Sequence, residues 1–267
     1  MRTFKVTLSY DGTDFSGFQR QSNARSVQAE LEMALAAIEG KHVTVAGAGR
    51  TDSGVHALGQ VASFTLASAI GERDLLRALN AKLPDDVRVL SAERAARDFN
   101  ARFSARSKMY RYRISNTRVM SPFQRRFAWH VSRELDLDAM KDAARELLGE
   151  HDFASFQGAP SKSERTKSTA NAEKDTTRTV TRSGWTEEPV AGGGRLLIYE
   201  IAGTGFLKYM VRAVVGTLVE VGDGRRTPAS LRDLFESRDR GAAGPTAPPE
   251  GLYLVRVDYD AAAPVSF

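Results

Sequence analysis

Hydrophobic and polar positions alternate with two different periods at the start of this chain. Residues 4–10 alternate apolar with polar side chains, which predicts a half-buried strand. From residue 27 to residue 38 the apolar positions recur at helical spacing, with Ser26 placed as an N-cap and Gly40 as a stop. The chain is therefore predicted to open with a strand, a loop and a helix.

The same two periods recur along the rest of the chain. Further strands are predicted at 42–45, 60–64, 108–114, 177–182, 195–201 and 253–257, and further helices at 75–83, 136–148, 206–221 and 228–237. Because strands and helices follow one another without regular alternation, the order predicts an α+β fold with a largely antiparallel sheet. Residues 161–175 have no large apolar side chain, which predicts a mobile surface loop or a solvated linker.

Composition narrows the classes of function. Of the 267 residues 42% are hydrophobic and 27% charged, as in soluble globular proteins. Cysteine is absent and the four histidines lack ligand spacing, so we expect neither disulfides nor a metal site. No apolar run is long enough to span a membrane and no signal peptide is recognisable, so a cytoplasmic protein without membrane attachment is expected. A net charge of +5 permits a polyanionic partner without requiring one.

The most unusual segment is residues 47–64, GAGRTDSGVHALGQVASF, where four glycines surround an Arg-Thr-Asp core. If Arg50 and Asp52 lie in extended backbone, their side chains share one face and present a guanidinium and a carboxylate to the same space. The alternative is a turn in which Asp52 caps its own backbone, as is common for Asp among glycines. The glycine spacing matches neither dinucleotide nor nucleoside triphosphate motifs.

Residues 49–61, GRTDSGVHALGQV, resemble the signature of the TruA family of tRNA pseudouridine synthases. Several ordered motifs are more specific than one match, and other segments of this chain resemble the family in the same order. These segments are YDGTDFSGFQRQ (10–21), SVQAELEMAL (26–35), DFNARFSARSKMYRYRI (98–114), GEHDFASF (149–156), GFLKYMVRAVVGTLVEVG (205–222) and PPEGLYLVRVDY (248–259).

The resemblance implies the pseudouridine synthase fold. This fold is α+β, with two ferredoxin-like halves that share a continuous, mainly antiparallel sheet and an active-site cleft between them. Residues 1–104 would form the N-terminal half with the RTD motif. Residues 105–267 would form the C-terminal half with the YRYRI and FLKYMVR motifs and the mobile loop 161–175.

The resemblance also implies a role for five residues. Asp52 would be the catalytic aspartate. Arg50 would help to extrude the target base, and Tyr110 would pack against the target uracil. Arg212 would pair with the aspartate, and Leu252 would form an apolar wall. The structural alternatives are that Tyr110, a strand tyrosine, belongs to the core, and that Arg212, in an apolar helix, extends its guanidinium to solvent or forms a structural ion pair.

Pseudouridine formation breaks the N1 glycosidic bond of uridine and rejoins the base through C5, so no cofactor, metal or group donor is needed. A carboxylate suffices, as a nucleophile at C1′ or as a stabiliser of positive charge there. The resemblance implies the anticodon arm of tRNA as substrate, at nucleotides 38 to 40, and a homodimer that contacts one tRNA with both subunits.

Three sites depart from the family pattern: Phe18 stands where tryptophan is common, Tyr209 where histidine is common, and Thr204-Gly205 replaces a pair that usually contains Asn. Two other functions stay open. A non-catalytic RNA-binding protein would gain nothing from a carboxylate facing a polyanion, and the aromatic RNP1 pattern of such proteins is missing from this sequence. A glycosidic hydrolase usually needs two carboxylates, and the motifs offer one.

Overall fold

The computed structural model describes residues 1–158 and 175–259. The chain forms two compact units, the first comprising Met1–Arg111 and the segment that begins at Pro249, the second comprising Tyr112–Pro248. The predicted division after residue 104 concerns the family's two halves and stays a prediction. The predicted mobile loop, 161–175, lies outside the described residues except for Asp175.

The described elements follow one another along the chain without regular alternation. In chain order they are β1 (Arg2–Tyr10), α1 (Val27–Glu39), β2 (Ala46–Gly47), β3 (His56–Leu66), α2 (Glu72–Lys82), β4 (Val87–Arg94), β5 (Ser107–Asn116), β6 (Trp129–His130), α3 (Leu137–Arg145), β7 (Gly149–Asp152), β8 (Thr177–Pro189), β9 (Arg195–Gly203), α4 (Met210–Gly222), α5 (Ser230–Ser237) and β10 (Leu252–Asp258), with short 3-10 helices at Ala154–Phe156 and Pro249–Gly251.

The sheet of the first unit is built around β3. Strands β1 and β2 pair with β3 in antiparallel fashion, β4 pairs antiparallel with β1, and β10 joins β3 in parallel. Alternate residues of β1, from Phe4 to Tyr10, are buried, as the period of two predicts. This arrangement places the start of β3 beside the start of β10, since His56 pairs with Tyr253.

Helix α1 follows from local signals at both ends. Ser26 is its N-cap residue and Gly40 its C-cap, where a φ of 77° is easy for glycine and strained for other residues. Val27, Leu31 and Leu35 bury one stripe of the helix, so they contribute to the core of the first unit.

The second unit pairs β7 with β8 and β8 with β9, all antiparallel. Helix α3 is capped at its N-terminus by Asp136, whose side chain accepts a hydrogen bond from the Ala139 amide, and it packs against α4 and β8. Gly222 leaves room for the Met140 side chain, since a Cβ there would lie 2.5 Å from its sulfur.

The predicted α+β class with a mainly antiparallel sheet is confirmed. Several predicted boundaries are wrong. The helix predicted over 206–221 begins only at Met210, because Tyr209 has a φ of 61° that no α-helix contains. The helix predicted from Pro228 begins at Ser230, after a turn that contains the proline, and the strand predicted over 42–45 forms only at Ala46–Gly47.

Among the described residues, every helix is too short or too polar to cross a bilayer.

Candidate active site

The Arg-Thr-Asp core lies in the loop that leads from β2 into β3. Arg50 is exposed, Thr51 is buried and Asp52 is half-buried. The middle residue therefore faces the interior of the first unit while its two neighbours face outward, as successive residues of extended chain do. We call residues 48–55 the RTD loop.

A buried hydrogen-bond network holds the RTD loop from beneath. The Tyr10 hydroxyl lies 2.9 Å from the Thr51 hydroxyl, and the Gln60 side-chain amide donates to the Gly49 carbonyl at 3.0 Å and to the Tyr10 oxygen at 3.4 Å. Burial raises the pKa of Tyr10 to about 12, although both hydrogen bonds act in the opposite direction. Tyr10 is therefore a neutral phenol at physiological pH, and removing one partner would leave buried polar groups unsatisfied.

The segment after β1 holds the RTD loop from the side. The Phe18 amide donates to the Thr51 carbonyl at 3.2 Å, and the Gly54 amide donates to the Phe15 carbonyl at 3.2 Å. Gly17 lies between these bonds with a φ of 97°, and a Cβ there would be 2.5 Å from the Thr51 carbonyl oxygen. Glycine is thus required for the two segments to approach this closely.

Asp52 begins a tight turn. The Val55 amide donates to the main-chain carbonyl of Asp52 at 3.1 Å, so the main chain closes this turn. Gly54 has a φ of 77° and lies against Pro249, whose Cγ would be 2.9 Å from a Cβ at position 54. The turn positions the half-buried carboxylate just before the start of β3.

Tyr110 comes to the RTD loop from β5. Its hydroxyl would lie 4.0 Å from a Cβ placed on Gly49, and its side chain is 8% exposed. Burial raises the pKa of Tyr110, and the nearby Tyr10 and Asp52 side chains raise it further. Tyr110 is therefore a neutral phenol in the electrostatic neighbourhood of Asp52.

Leu252 lies at the first position of β10 and is 5% exposed. The next residue, Tyr253, pairs with His56 at the start of β3, and the two rings stack with centroids 4.8 Å apart. The Gly12 amide donates to Nδ1 of His56 at 3.0 Å. Leu252 therefore lies at the same end of β3 and β10 as the RTD loop.

The two arginines predicted for the site lie in different units. Arg50 of the first unit donates from Nε to the Gln19 side chain at 3.1 Å. Arg212 of the second unit lies in α4, and its Nε donates to the Ala247 carbonyl at 2.6 Å while its guanidinium lies 5.2 Å from the centre of the Tyr209 ring. The first unit thus brings together Arg50, Asp52, Tyr110 and Leu252 near one loop, and the pairing of Arg212 with Asp52 stays a prediction.

The residues that support the RTD loop were not predicted from the sequence. Tyr10, Gln60 and Gly17 all occur in segments that resemble the family, yet periodicity assigned them only to strands and turns. The signals in the sequence were that Gln60 shares the motif of Asp52, residues 49–61, and that Tyr10 and Gly17 lie in another segment that resembles the family, residues 10–21. No three His, Asp or Glu side chains of the described ranges 1–158 and 175–259 are grouped as metal ligands.

Comparison with known proteins agrees with this geometry. The sequence matches the family described as tRNA pseudouridine synthase over residues 7–104 and 143–260. It is 42% identical over 259 residues to tRNA pseudouridine synthase A of Acetivibrio thermocellus, which covers 97% of this chain and 100% of that protein. The proteins of the same description from Pelobacter propionicus and Afipia carboxidovorans are 44% and 45% identical, again over 97% of this chain and 100% of theirs. This chain belongs to the tRNA pseudouridine synthase family.

Proposed function

We propose that this protein isomerises uridine to pseudouridine in tRNA, with Asp52 as the catalytic carboxylate. The observation that carries the proposal is the RTD loop, which a buried network holds through Thr51 and Gly49 and which presents the half-buried Asp52 in the electrostatic neighbourhood of Tyr110. The same description, tRNA pseudouridine synthase A, belongs to relatives that match 97% of this chain over their own full length.

The reaction is an isomerisation in which all atoms of the substrate are retained. The C1′–N1 bond breaks and its electrons stay with the uracil, which turns so that C5 faces C1′. Asp52 either forms a temporary bond to C1′ or stabilises the positive charge there without one. C5 then bonds to C1′, any carboxylate bond to C1′ breaks, the C5 proton leaves and N1 gains a proton.

Tyr110 would provide the surface on which the uracil packs. Its raised pKa favours the neutral phenol, so we propose that the hydroxyl donates or relays a proton and does not act as a phenolate base. Leu252, at the same end of the sheet, would exclude water as an apolar wall.

Arg212 would keep Asp52 ionised. A guanidinium beside a carboxylate favours its charged form, and both candidate mechanisms need that form. Within the second unit the guanidinium is restrained by its Nε bond to the Ala247 carbonyl. Arg50, which is exposed on the RTD loop, would occupy the space that the extruded base leaves.

We also propose which nucleotides of the tRNA are modified, how many copies of the chain assemble and where in the cell the protein acts. We propose that the target uridines lie at nucleotides 38 to 40 of the anticodon arm and that a homodimer in the cytoplasm binds each tRNA. A particle mass of two chains in solution is expected from light scattering, and a monomer mass would overturn the dimer alone.

Tritium release tests the function directly. A tRNA transcript that carries C5-tritiated uridine only at nucleotides 38 to 40 should release tritium when the protein is added. A matched transcript with cytidine at those nucleotides and labelled uridine in the T-loop should not. Release from the T-loop transcript alone would overturn the substrate region, and tight binding of both without release would favour a non-catalytic RNA-binding protein.

A further inference from the structure

An exposed aromatic side chain lies on a well-formed turn near the RTD loop. We call residues 100–104 the NARFS turn. The Asn100 side chain accepts hydrogen bonds from the amides of Arg102 and Phe103 at 2.9 and 3.2 Å, and the Ser104 amide donates to the Asn100 carbonyl at 2.9 Å. These hydrogen bonds fix the backbone that carries Phe103.

The NARFS turn is attached next to the RTD loop. Ala101 is fully buried in a cluster with Ala48, which belongs to the RTD loop, and Val61. Its amide donates to the Ser63 hydroxyl at 2.9 Å, and its carbonyl accepts from the Tyr259 hydroxyl at 2.8 Å. The position of the turn relative to the RTD loop is therefore set by packing and by two hydrogen bonds.

The residues after Ala101 point away from this core. Phe103 is 80% exposed, and the Arg102 guanidinium lies 5.7 Å from the centre of its ring. A phenylalanine at this exposure gains little from folding, because its apolar surface stays in water. Its ring is therefore exposed on a backbone that the hydrogen bonds of the turn hold in place.

The charges around the turn favour a polyanion. Lys108 lies beside the RTD loop, since its Cε would be 3.4 Å from a Cβ on Gly49. Burial lowers the pKa of Lys108, and the charge of Arg102 lowers it further, so an anion between the two would be stabilised. The carboxylate of Asp258 accepts a hydrogen bond from the Ser107 hydroxyl and forms an ion pair with Arg256.

We propose that the NARFS turn is a stacking contact for an unpaired base of the tRNA close to the target uridine, with Phe103 under the base and Arg102 and Lys108 on the adjacent phosphate. The proposal rests on the proposed function. Proteins bind splayed bases by stacking them on aromatic rings and by placing cations on the backbone, which is the combination present here. An apolar protein partner would be expected to require a wider apolar patch than one ring among cations.

Substitutions at position 103 test the contact. Phe103→Ala should weaken tRNA binding by about 5- to 100-fold, as loss of one stacked base does, and Phe103→Trp should bind like the parent protein. Phe123 of the second unit is 88% exposed, so Phe123→Ala is a matched control that removes an equally exposed ring elsewhere. Equal losses from the two alanine variants would overturn the proposal.

An abasic scan identifies the stacked base. Anticodon arms in which one nucleotide at a time lacks its base are bound to the parent protein and to Phe103→Ala by filter binding. At one abasic position the parent should lose affinity while Phe103→Ala loses nothing further. The stacking contact would be overturned if, at every position, the affinity lost through the missing base added to that lost through Phe103→Ala. It would also be overturned if Phe103→Ala changed the particle mass in solution, because the ring would then belong to a contact between copies of the chain.

The same samples separate this proposal from the proposed function. Tritium release by the parent together with unchanged affinity of Phe103→Ala would overturn the stacking contact alone. Failure of the parent to release tritium would overturn both.

Discussion

Replacing Gly17 by alanine should slow catalysis through the RTD loop. Gly17 has a φ of 97°, and an added Cβ would lie 2.5 Å from the Thr51 carbonyl oxygen and 3.2 Å from the carbonyl carbon of Asp52. Because both contacts are to backbone, no side-chain rotation can relieve them. The RTD loop must move away from the segment after β1.

The magnitude follows from two costs. Left-handed backbone costs a residue with a Cβ about 1–2 kcal/mol, and overpacking adds about 1–3 kcal/mol, so the free energy of unfolding should fall by about 2–5 kcal/mol. A displacement of reacting groups by about 1 Å reduces turnover roughly a hundredfold, so a shift of several tenths of an ångström at Asp52 should reduce kcat about 10- to 100-fold.

Gly40→Ala is the matched control for backbone strain. Gly40 has a φ of 77° at the end of α1, and an added Cβ would meet nothing within 4 Å. This variant should lose about 1–2 kcal/mol of stability and keep the parental kcat. Urea unfolding and single-turnover tritium release, measured on both variants, give the comparison. A folded Gly17→Ala variant with the kcat of Gly40→Ala would refute the claim that the RTD loop is positioned through Gly17.

Three further outcomes are expected. Tyr110→Phe keeps the ring and loses the hydroxyl, so single-turnover tritium release should slow at least about tenfold while tRNA affinity is unchanged. Tritium release at the parental rate would mean that Tyr110 serves only in packing. Burial raises the pKa of Tyr10 to about 12 in the folded protein, whereas the unfolded chain has the ordinary tyrosine value of 10.0. The neutral Tyr10 phenol therefore stabilises the folded state below pH 10, and this contribution is lost as the pH rises through 12. Urea unfolding should show lower stability at pH 11 than at pH 9 from this group, by on the order of 1 kcal/mol, a loss that Tyr10→Phe should lack. Affinity for tRNA should fall steeply and linearly on a log-log plot against salt, and a flat response would contradict a broad basic contact surface.

Local signals allowed some elements to be predicted closely. Helix α1 was predicted from residue 27 to residue 38 and is found at Val27–Glu39, because Ser26 and Gly40 mark its ends in the sequence itself. Strand β4 (Val87–Arg94) was missed because few of its residues are buried and its alternation is weak. Helix α4 was predicted four residues too long at its start, since the left-handed backbone of Tyr209 has no signal in an apolar run.

The candidate site shows the same limit. Arg50, Asp52, Tyr110 and Leu252 were predicted through resemblance of short motifs to a family, and the structure finds all of them in the first unit. The bond from Tyr10 to Thr51 joins residues 41 positions apart, and that from Gln60 to Gly49 joins residues 11 apart, so neither follows from the period of a strand or a helix. Resemblance predicts the reacting groups, whereas the tertiary structure is needed to show what supports them.

The most direct test of the central claim is tritium release by Asp52→Asn. The amide keeps the shape of the carboxylate but lacks its charge, so both candidate mechanisms lose their essential group. Asp74→Asn, which removes an exposed carboxylate from α2, controls for the change in net charge. Asp52→Asn should fold, bind tRNA within a few fold of the parent and release tritium at least about a hundredfold more slowly. Release near the parental rate from folded Asp52→Asn would contradict the account.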